Sequence, residues 1–371
     1  MSMSTIPPFR LSLSPAANGI FIGDPRLEPV IEELSQWETP LPIDLAAFKL
    51  DENLIEYEEG EHGRLSGPMS SRGSATGLIV HRGEIAGYWG APDRSDTAFS
   101  VTKGALSVLT GLALSQGRIG GLDDAVHRSV DIEAFSEGRN SAITWRHLLT
   151  MTSEWRGSLW GIPDSIDWNR AVPRRPDAPK KGTPRQTFEP GAYWEFNDVR
   201  VNVLALALTA LFRENLEEVF RREIMNPIGA SDGWRWHGYE TSHIDIDGRT
   251  VPVVAGGGHW GGGLVVPAFD LARLALLHVH RGDWNGRTIL PGEWFEQIAV
   301  PCPLNPAYGL MWWTNAGGTI PALSRHAIWG SGISNLVVAD RGKDLVVVLR
   351  WYDVARRDEI LARIAGALQG N

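Results

Sequence analysis

The clearest hydrophobic patterns lie near the two ends of the chain. Gly77–His81 and Glu84–Trp89 are β-like runs that meet at Arg82-Gly83, which predicts a hairpin. Ser334–Ala339 and Asp344–Trp351, turned at Arg341-Gly342, predict a second strand pair, followed by a helix over Arg357–Leu368. Between these ends the pattern becomes helical. Ser100–Gln116 predicts a helix closed by Gly117 and Gly120. Its apolar residues fall nearly all round the circumference, so it belongs in the interior. Further helices are predicted over Pro29–Trp37, Thr144–Thr150, Val199–Met225 and Ala268–Arg281, and the Pro- and Arg-rich loop Pro173–Pro184 reads as a lid or rim. Strands from both termini with helices between them predict an α/β (α+β) fold. One lobe comprises residues 1–98, including an irregular N-terminal wrap, and 265–371; residues 99–264 form a mostly helical lobe inserted into it.

Composition narrows the function classes. The 371 residues are 43% hydrophobic and 21% charged, an ordinary globular balance that excludes disorder as the main state. A net charge of −9, with acids and bases scattered along the chain, argues against nucleic acid or an anionic membrane as the principal partner. The N-terminus lacks a basic stretch leading into an apolar run, and no segment reaches the about 18 apolar residues of a membrane span, so a cytoplasmic protein is expected. The single cysteine, Cys302, sits between two prolines and reads as a structural thiol. Ten histidines include no H-E-x-x-H, and neither a metal nor another cofactor is expected. The compositional oddity is tryptophan, 16 residues against 6 tyrosines.

Three literal motifs compete. Gly229-Ala-Ser231-Asp-Gly233 fits the G-x-S-x-G elbow of α/β-hydrolases, which requires a strand before the serine and a helix after it. A helical run broken at Pro227 precedes it and Trp234-Arg-Trp-His follows, so an esterase acting through Ser231 is the weaker alternative. Gly256–Gly263 contains G-x-G-x-x-G, but Leu264–Pro267 intervenes before any helix, and a closely packed turn is the better reading. Ser100-Val-Thr-Lys103 opens the buried helix. Residues three apart share a helix face, so the Lys103 amine reaches the Ser100 hydroxyl. The helix N-terminus favours negative charge there, and desolvation depresses a lysine toward a useful base. An ordinary Ser cap followed by a snorkelling Lys is the bland alternative.

Phe99-Ser-Val-Thr-Lys-Gly, the following LTGLALSQGRIGGLDDAV and Ile143-Thr-Trp-Arg-His-Leu-Leu-Thr-Met-Thr-Ser resemble the serine β-lactamase and penicillin-binding-protein superfamily. They resemble more closely its class C-related esterases, D-aminopeptidases and 6-aminohexanoate-oligomer hydrolases. The resemblance runs from about residue 75 to the C-terminus and includes Phe269–Arg273 and Tyr308–Trp313. It implies a β-lactamase/transpeptidase-like fold, an antiparallel sheet flanked by helices with a helical lobe and the serine at their junction. Ser100 would then be the nucleophile and Lys103 its base.

The family's Tyr-x-Asn motif, following a Pro-Gly, matches Phe196-Asn197-Asp198 after Pro190-Gly191. A phenyl ring cannot shuttle a proton. Either the chain is an engineered Tyr→Phe variant, favoured by the otherwise intact surroundings, or a natural member relying on Lys103 or on nearby Tyr193. Asp198, at the family's Asn position, would orient Lys103 and substrate. The third motif aligns with Ile328-Trp329-Gly330-Ser331, which carries no cation and so disfavours penicillin-like carboxylates. The resemblance implies an oxyanion hole from the N–H groups of Ser100 and Ser331. Trp329 would line the pocket or pack in the core, and His259 and His326 flank glycine turns near the presumed site. Trp194, Trp260, Trp312, Trp313 and Trp329 fall in segments placed around the cleft, which suggests an aromatic pocket. The expected activity is a serine hydrolase cleaving an ester or amide of a small, uncharged substrate. A non-catalytic ligand-binding member of the same fold is the alternative, and the oligomeric state is left open.

Overall fold

Two antiparallel sheets organise the chain. The computed structural model describes residues 19–45, 60–69, 71–171, 177–258 and 262–369. The larger sheet has seven strands in the order Phe21–Ile22, Glu84–Trp89, Thr76–His81, Leu345–Arg350, Asn335–Asp340, Ala327–Gly332 and Trp313–Thr314. The two predicted hairpins therefore lie side by side at its centre, joined by the pairing of Val346 with Val80 and of Val348 with Leu78. Each edge is a strand of two residues, short enough to offer little template for a further chain.

Leu345–Arg350 is buried along its whole length, because helices cover both faces of the sheet. Alternate side chains divide between two cores. Leu78, Val80, Val337, Ala339, Val346 and Val348 face the inner core with the helices Lys103–Ser115 and Ala268–Val279. Ile79, Leu336, Val338, Val347 and Leu349 face an outer core closed by Glu28–Leu34 and Arg357–Gln369. A strand covered on both sides reads as a continuous apolar run, as residues 345–349 do here.

The second sheet orders Asp96–Thr97, Gly263–Val266, Arg235–Ile246 and Arg249–Val254. It begins where Trp234-Arg-Trp-His lies, so no helix follows Ser231. The helix predicted over Val199–Met225 is two helices, Asp198–Phe212 and Leu216–Phe220, followed by a π turn over Arg221–Met225. Arg213 adopts φ 59° and ends the first of them. No described helix is long and apolar enough to cross a membrane.

Close packing against glycine accounts for part of the tryptophan excess. A Cβ at Gly104 would lie 2.3 Å from Trp312, one at Gly111 2.5 Å from Trp294, and one at Gly77 2.1 Å from Trp89. Trp145, Trp155, Trp234 and Trp351 are among the largest fully buried side chains. These tryptophans serve the core, not a cleft.

Candidate active site

The Ser100 segment is held where the two sheets meet. Phe99–Thr102 form a 3-10 turn and the α-helix begins at Lys103. In a 3-10 turn residues i and i+3 eclipse, which sets Lys103 directly over Ser100. Lys103 Nζ lies 2.7 Å from Ser100 Oγ. The turn is fastened to the second sheet by Ala98 N–H to Leu264 C=O at 2.8 Å and by Leu264 N–H to Thr102 Oγ1 at 3.0 Å. Phe99 adopts φ 48°, a left-handed conformation that costs about 1–3 kcal/mol for a non-glycine residue. Its ring is clamped edge-on against buried Trp351 at 6.2 Å, and packing of this kind holds the strain.

The glycine cluster has a steric reason. A Cβ at Gly256 would lie 2.1 Å from Val201, one at Gly257 2.0 Å from the Phe99 carbonyl oxygen, and one at Gly258 2.2 Å from Asp198. The loop thus wedges between the Ser100 turn and the Asp198 helix, and the Gly257 carbonyl accepts from Ser100 Oγ at 3.4 Å. The closely packed turn replaces the dinucleotide reading. His259 and Trp260 lie outside the described residues.

Lys103 is 2% exposed, and its amine lies 2.8 Å from Asp198 Oδ1 and 4.9 Å from the centre of the Phe196 ring. Burial pushes it below the ordinary lysine range despite the opposing pull of Asp198. Phe196 stacks on Trp313 at 6.4 Å, and Trp313 stacks in turn on Trp329 at 6.4 Å. Tyr308 meets Phe196 and Trp313 edge-on, and Trp194 meets Tyr308 edge-on and Trp313 at a tilt. Burial raises the Tyr308 phenol well above the ordinary tyrosine range, with Asp198 adding to the effect.

Strand register decides the fate of the third motif. Gly330 faces Val101, and a Cβ at Gly332 would lie 2.4 Å from the Ser100 nitrogen. Trp329 points to the opposite face, 5% exposed within the outer core. It backs Trp313 and does not line the cleft, because successive strand side chains alternate between faces. Asn315 N–H donates to the Ala327 carbonyl. By alternation Trp329 and Ser331 direct their backbone groups to that same edge, and the neighbouring strand ends at Trp313, opposite Trp329. Ser331 lies beyond that end.

Other sequence expectations land elsewhere. Tyr193 stacks on Phe188 at 4.9 Å and lies under the Arg185 guanidinium at 4.5 Å, engaged away from Lys103. His326 is exposed beside Glu296. Ser231 donates to Asp270 Oδ2 at 2.6 Å on a turn that leads into a strand, so the strand-to-helix elbow is absent and the α/β-hydrolase alternative falls with it. Thr144 caps its helix by accepting from His147 N–H at 3.2 Å, and Arg146 grips Asp123 through two bonds of 2.6 and 2.9 Å. The matched stretches around them are therefore scaffold.

Sequence reasoning missed Arg170, Asp167 and Lys181. Arg170 pairs with Asp198 Oδ2 and lies 3.8 Å from Asp167, which also accepts from the Asp198 N–H at 2.6 Å and pairs with Lys181 at 2.9 Å. The one available signal was an acid at position 198 beside a buried lysine, a charge set that calls for a second cation. Behind this string lies a buried network. Arg200 reaches Asp164 at 2.7 Å and Glu154 at 3.0 Å, and Arg185 reaches Glu195 at 2.7 Å and Glu154 at 2.5 Å.

Comparison with known proteins agrees with this architecture. The family profile described as Beta-lactamase matches residues 66–367. A penicillin-binding protein homologue from Caulobacter crescentus has a TM-score of 0.61 at 14% identity, covering 94% of this chain and 99% of that one. EstCE1, a hydrolase with promiscuous acyltransferase activity, has a TM-score of 0.58 at 16% identity over 93% and 99%. An octameric penicillin-binding protein homologue from Pyrococcus abyssi has a TM-score of 0.55 at 18% identity over 79% and 72%. At these identities the likeness is one of fold. No curated protein matches the sequence. The profile covers most of the chain, from before the central hairpin almost to the end of the last helix, and the chain accordingly belongs to the beta-lactamase family of serine hydrolases.

Proposed function

We propose that the protein hydrolyses an ester or amide of a small, uncharged substrate through an acyl-enzyme on Ser100. The observation that carries this is the 2.7 Å separation of Ser100 Oγ from a lysine amine that is 2% exposed and whose protonated form burial disfavours. Neutral Lys103 takes the hydroxyl proton as Ser100 Oγ bonds to the substrate carbonyl carbon. The carbonyl oxygen takes the negative charge, facing the N–H groups of Ser100 and Ser331; such donors are worth about 3 kcal/mol each in the transition state. The tetrahedral species collapses, the bond to the leaving alcohol or amine breaks, and the Lys103 proton passes to it. Water then gives a proton to Lys103 as its oxygen adds to the acyl carbon, and that proton passes to Ser100 Oγ as the acyl bond breaks and the acid leaves.

Support for an uncharged substrate comes from the lack of a cation on Ile328–Ser331 and from the half-buried Trp313 beside Phe196. The test is covalent labelling. A fluorophosphonate should modify the wild type once, at Ser100, with displacement of fluoride, and Ser100→Ala should abolish the adduct. Equal labelling of the Ala variant would falsify the assignment, and binding of esters with no labelling would favour the non-catalytic alternative.

Phe196, at the family's tyrosine position, is part of the same proposal as a Tyr→Phe replacement. Phe196→Tyr is expected to accelerate hydrolysis of a p-nitrophenyl ester by supplying a second proton carrier beside Lys103. An unchanged or lower rate would leave Lys103 as the sole carrier.

A further inference from the structure

We propose that Arg170 is a positioning residue that occupies the second carboxylate oxygen of Asp198 so that Lys103 is left free to act as a neutral amine. The proposal rests on the assignment of Ser100 and Lys103 given above. Asp198 is 2% exposed and divides its oxygens, Oδ1 to Lys103 at 2.8 Å and Oδ2 to Arg170. A buried lysine facing an uncompensated carboxylate would hold its proton, because the ion pair is the only favourable charged state in a low dielectric. A guanidinium on the far oxygen spreads that negative charge over two cations.

Arg170 is placed for this task by backbone and side-chain contacts. The preceding Asn169, at φ 60°, donates its N–H to the buried Glu195 carboxylate at 2.9 Å and its side-chain amide to the Thr183 carbonyl at 2.8 Å. Asp167 accepts from the Asp198 N–H and so ties the loop to the helix start that carries Asp198. The Arg170 guanidinium also lies 5.1 Å from the Phe196 ring centre, and the Lys103 amine 4.9 Å from the same centre. Among the described residues, the charged and titratable groups around Lys103 are Ser100 on its own turn, Asp198 on the following helix, Arg170 and Asp167 on the loop with Lys181 beyond them, and Tyr308 across the ring cluster. Arg170 and Asp167 act on Lys103 in opposite senses, the cation lowering and the carboxylate raising its proton affinity. Burial opposes the charge on Arg170, but Asp198 and Asp167 outweigh it and keep the guanidinium protonated.

The pH dependence of fluorophosphonate labelling at Ser100 tests the proposal without a known substrate. The rate should rise with pH as Lys103 loses its proton. Arg170→Gln is expected to move this rise to higher pH by about one unit, a tenfold loss of rate on the acid side. Asp198→Asn should move it to lower pH, and Arg170→Lys should stay near the wild type. In the double variant Arg170→Gln/Asp198→Asn the upward shift should shrink to the part that the guanidinium exerts directly on Lys103, since the rest of its effect runs through Asp198. A rise that stays in place in Arg170→Gln, or shifts that simply add in the double variant, would overturn the role of Arg170 while labelling at Ser100 leaves the nucleophile assignment standing. Absence of any labelling in the wild type overturns both. If Arg170→Gln does not fold, Arg170→Met, which keeps an apolar stem beside the Phe196 ring, carries the same comparison with the same expected shift.

Discussion

Lys103→Met should lower the rate of Ser100 labelling and of ester hydrolysis by about 10²–10⁴-fold, the contribution of a positioned general base, while the protein remains folded. Methionine approximates the lysine stem, and 11 of the 13 residues of its helix, Lys103 included, are buried, so an apolar side chain suits the position. Loss of the amine does not strand Asp198, because Arg170 still holds Oδ2 and Asp167 still accepts the Asp198 N–H. Circular dichroism and thermal unfolding separate the chemical effect from a folding defect. A variant that is folded and labels at the wild-type rate would remove Lys103 from the mechanism.

The second large effect concerns stability. Arg200→Leu should cost about 3–5 kcal/mol, read from denaturant unfolding, because removing one partner of a buried ion network leaves uncompensated charge. Arg200 binds Asp164 through two bonds of 2.7 and 3.0 Å and Glu154 at 3.0 Å, all three residues being nearly inaccessible. Glu154 itself sits at φ 46°, and its carboxylate also accepts from Phe188 N–H at 2.9 Å, so the network holds strained backbone as well as charge.

The pH dependence of that stability has a definite sign. Burial raises the Glu154 proton affinity, but Arg185, Arg200 and the Phe188 N–H outweigh it and hold the carboxyl below its ordinary value of 4.5. A depressed carboxyl stabilises the fold above its unfolded value and loses that contribution as pH falls through the folded value. Acid unfolding should therefore begin at higher pH in Arg200→Leu than in the wild type. A variant with wild-type stability and acid midpoint would show that Arg185 suffices for Glu154, and Asn197 and Trp168 for Asp164.

Much of the candidate site was legible because it is local. Ser100 and Lys103 are three residues apart, and any helical geometry that buries this segment brings them together; the 3-10 turn only tightens the approach. The central hairpins were legible for the same reason, each being a pair of apolar runs around a Gly-containing turn. The glycine cluster also carried a local signal, although it reads correctly only once Val201, Phe99 and Asp198 are seen against its glycines.

The long-range partners were not legible. Arg170 and Asp198 are 28 residues apart, joined by a loop without period, and a sequence pattern holds no term for which guanidinium a buried carboxylate will meet. Trp329 was ambiguous because strand alternation assigns it to one of two faces, and only the packing of helices on both sides says which face holds the cleft. Tyr193 shares a segment with Phe196, yet its ring is drawn to Phe188 and Arg185. By itself, then, the sequence determined most of the elements, though not the break at Arg213, together with the Ser100–Lys103 pair and the general fold, through short-range spacing and hydrophobic period. Only the tertiary structure decided the charge balance on Lys103 and the aromatic residues beside it, since both depend on contacts between segments that local energetics leave independent.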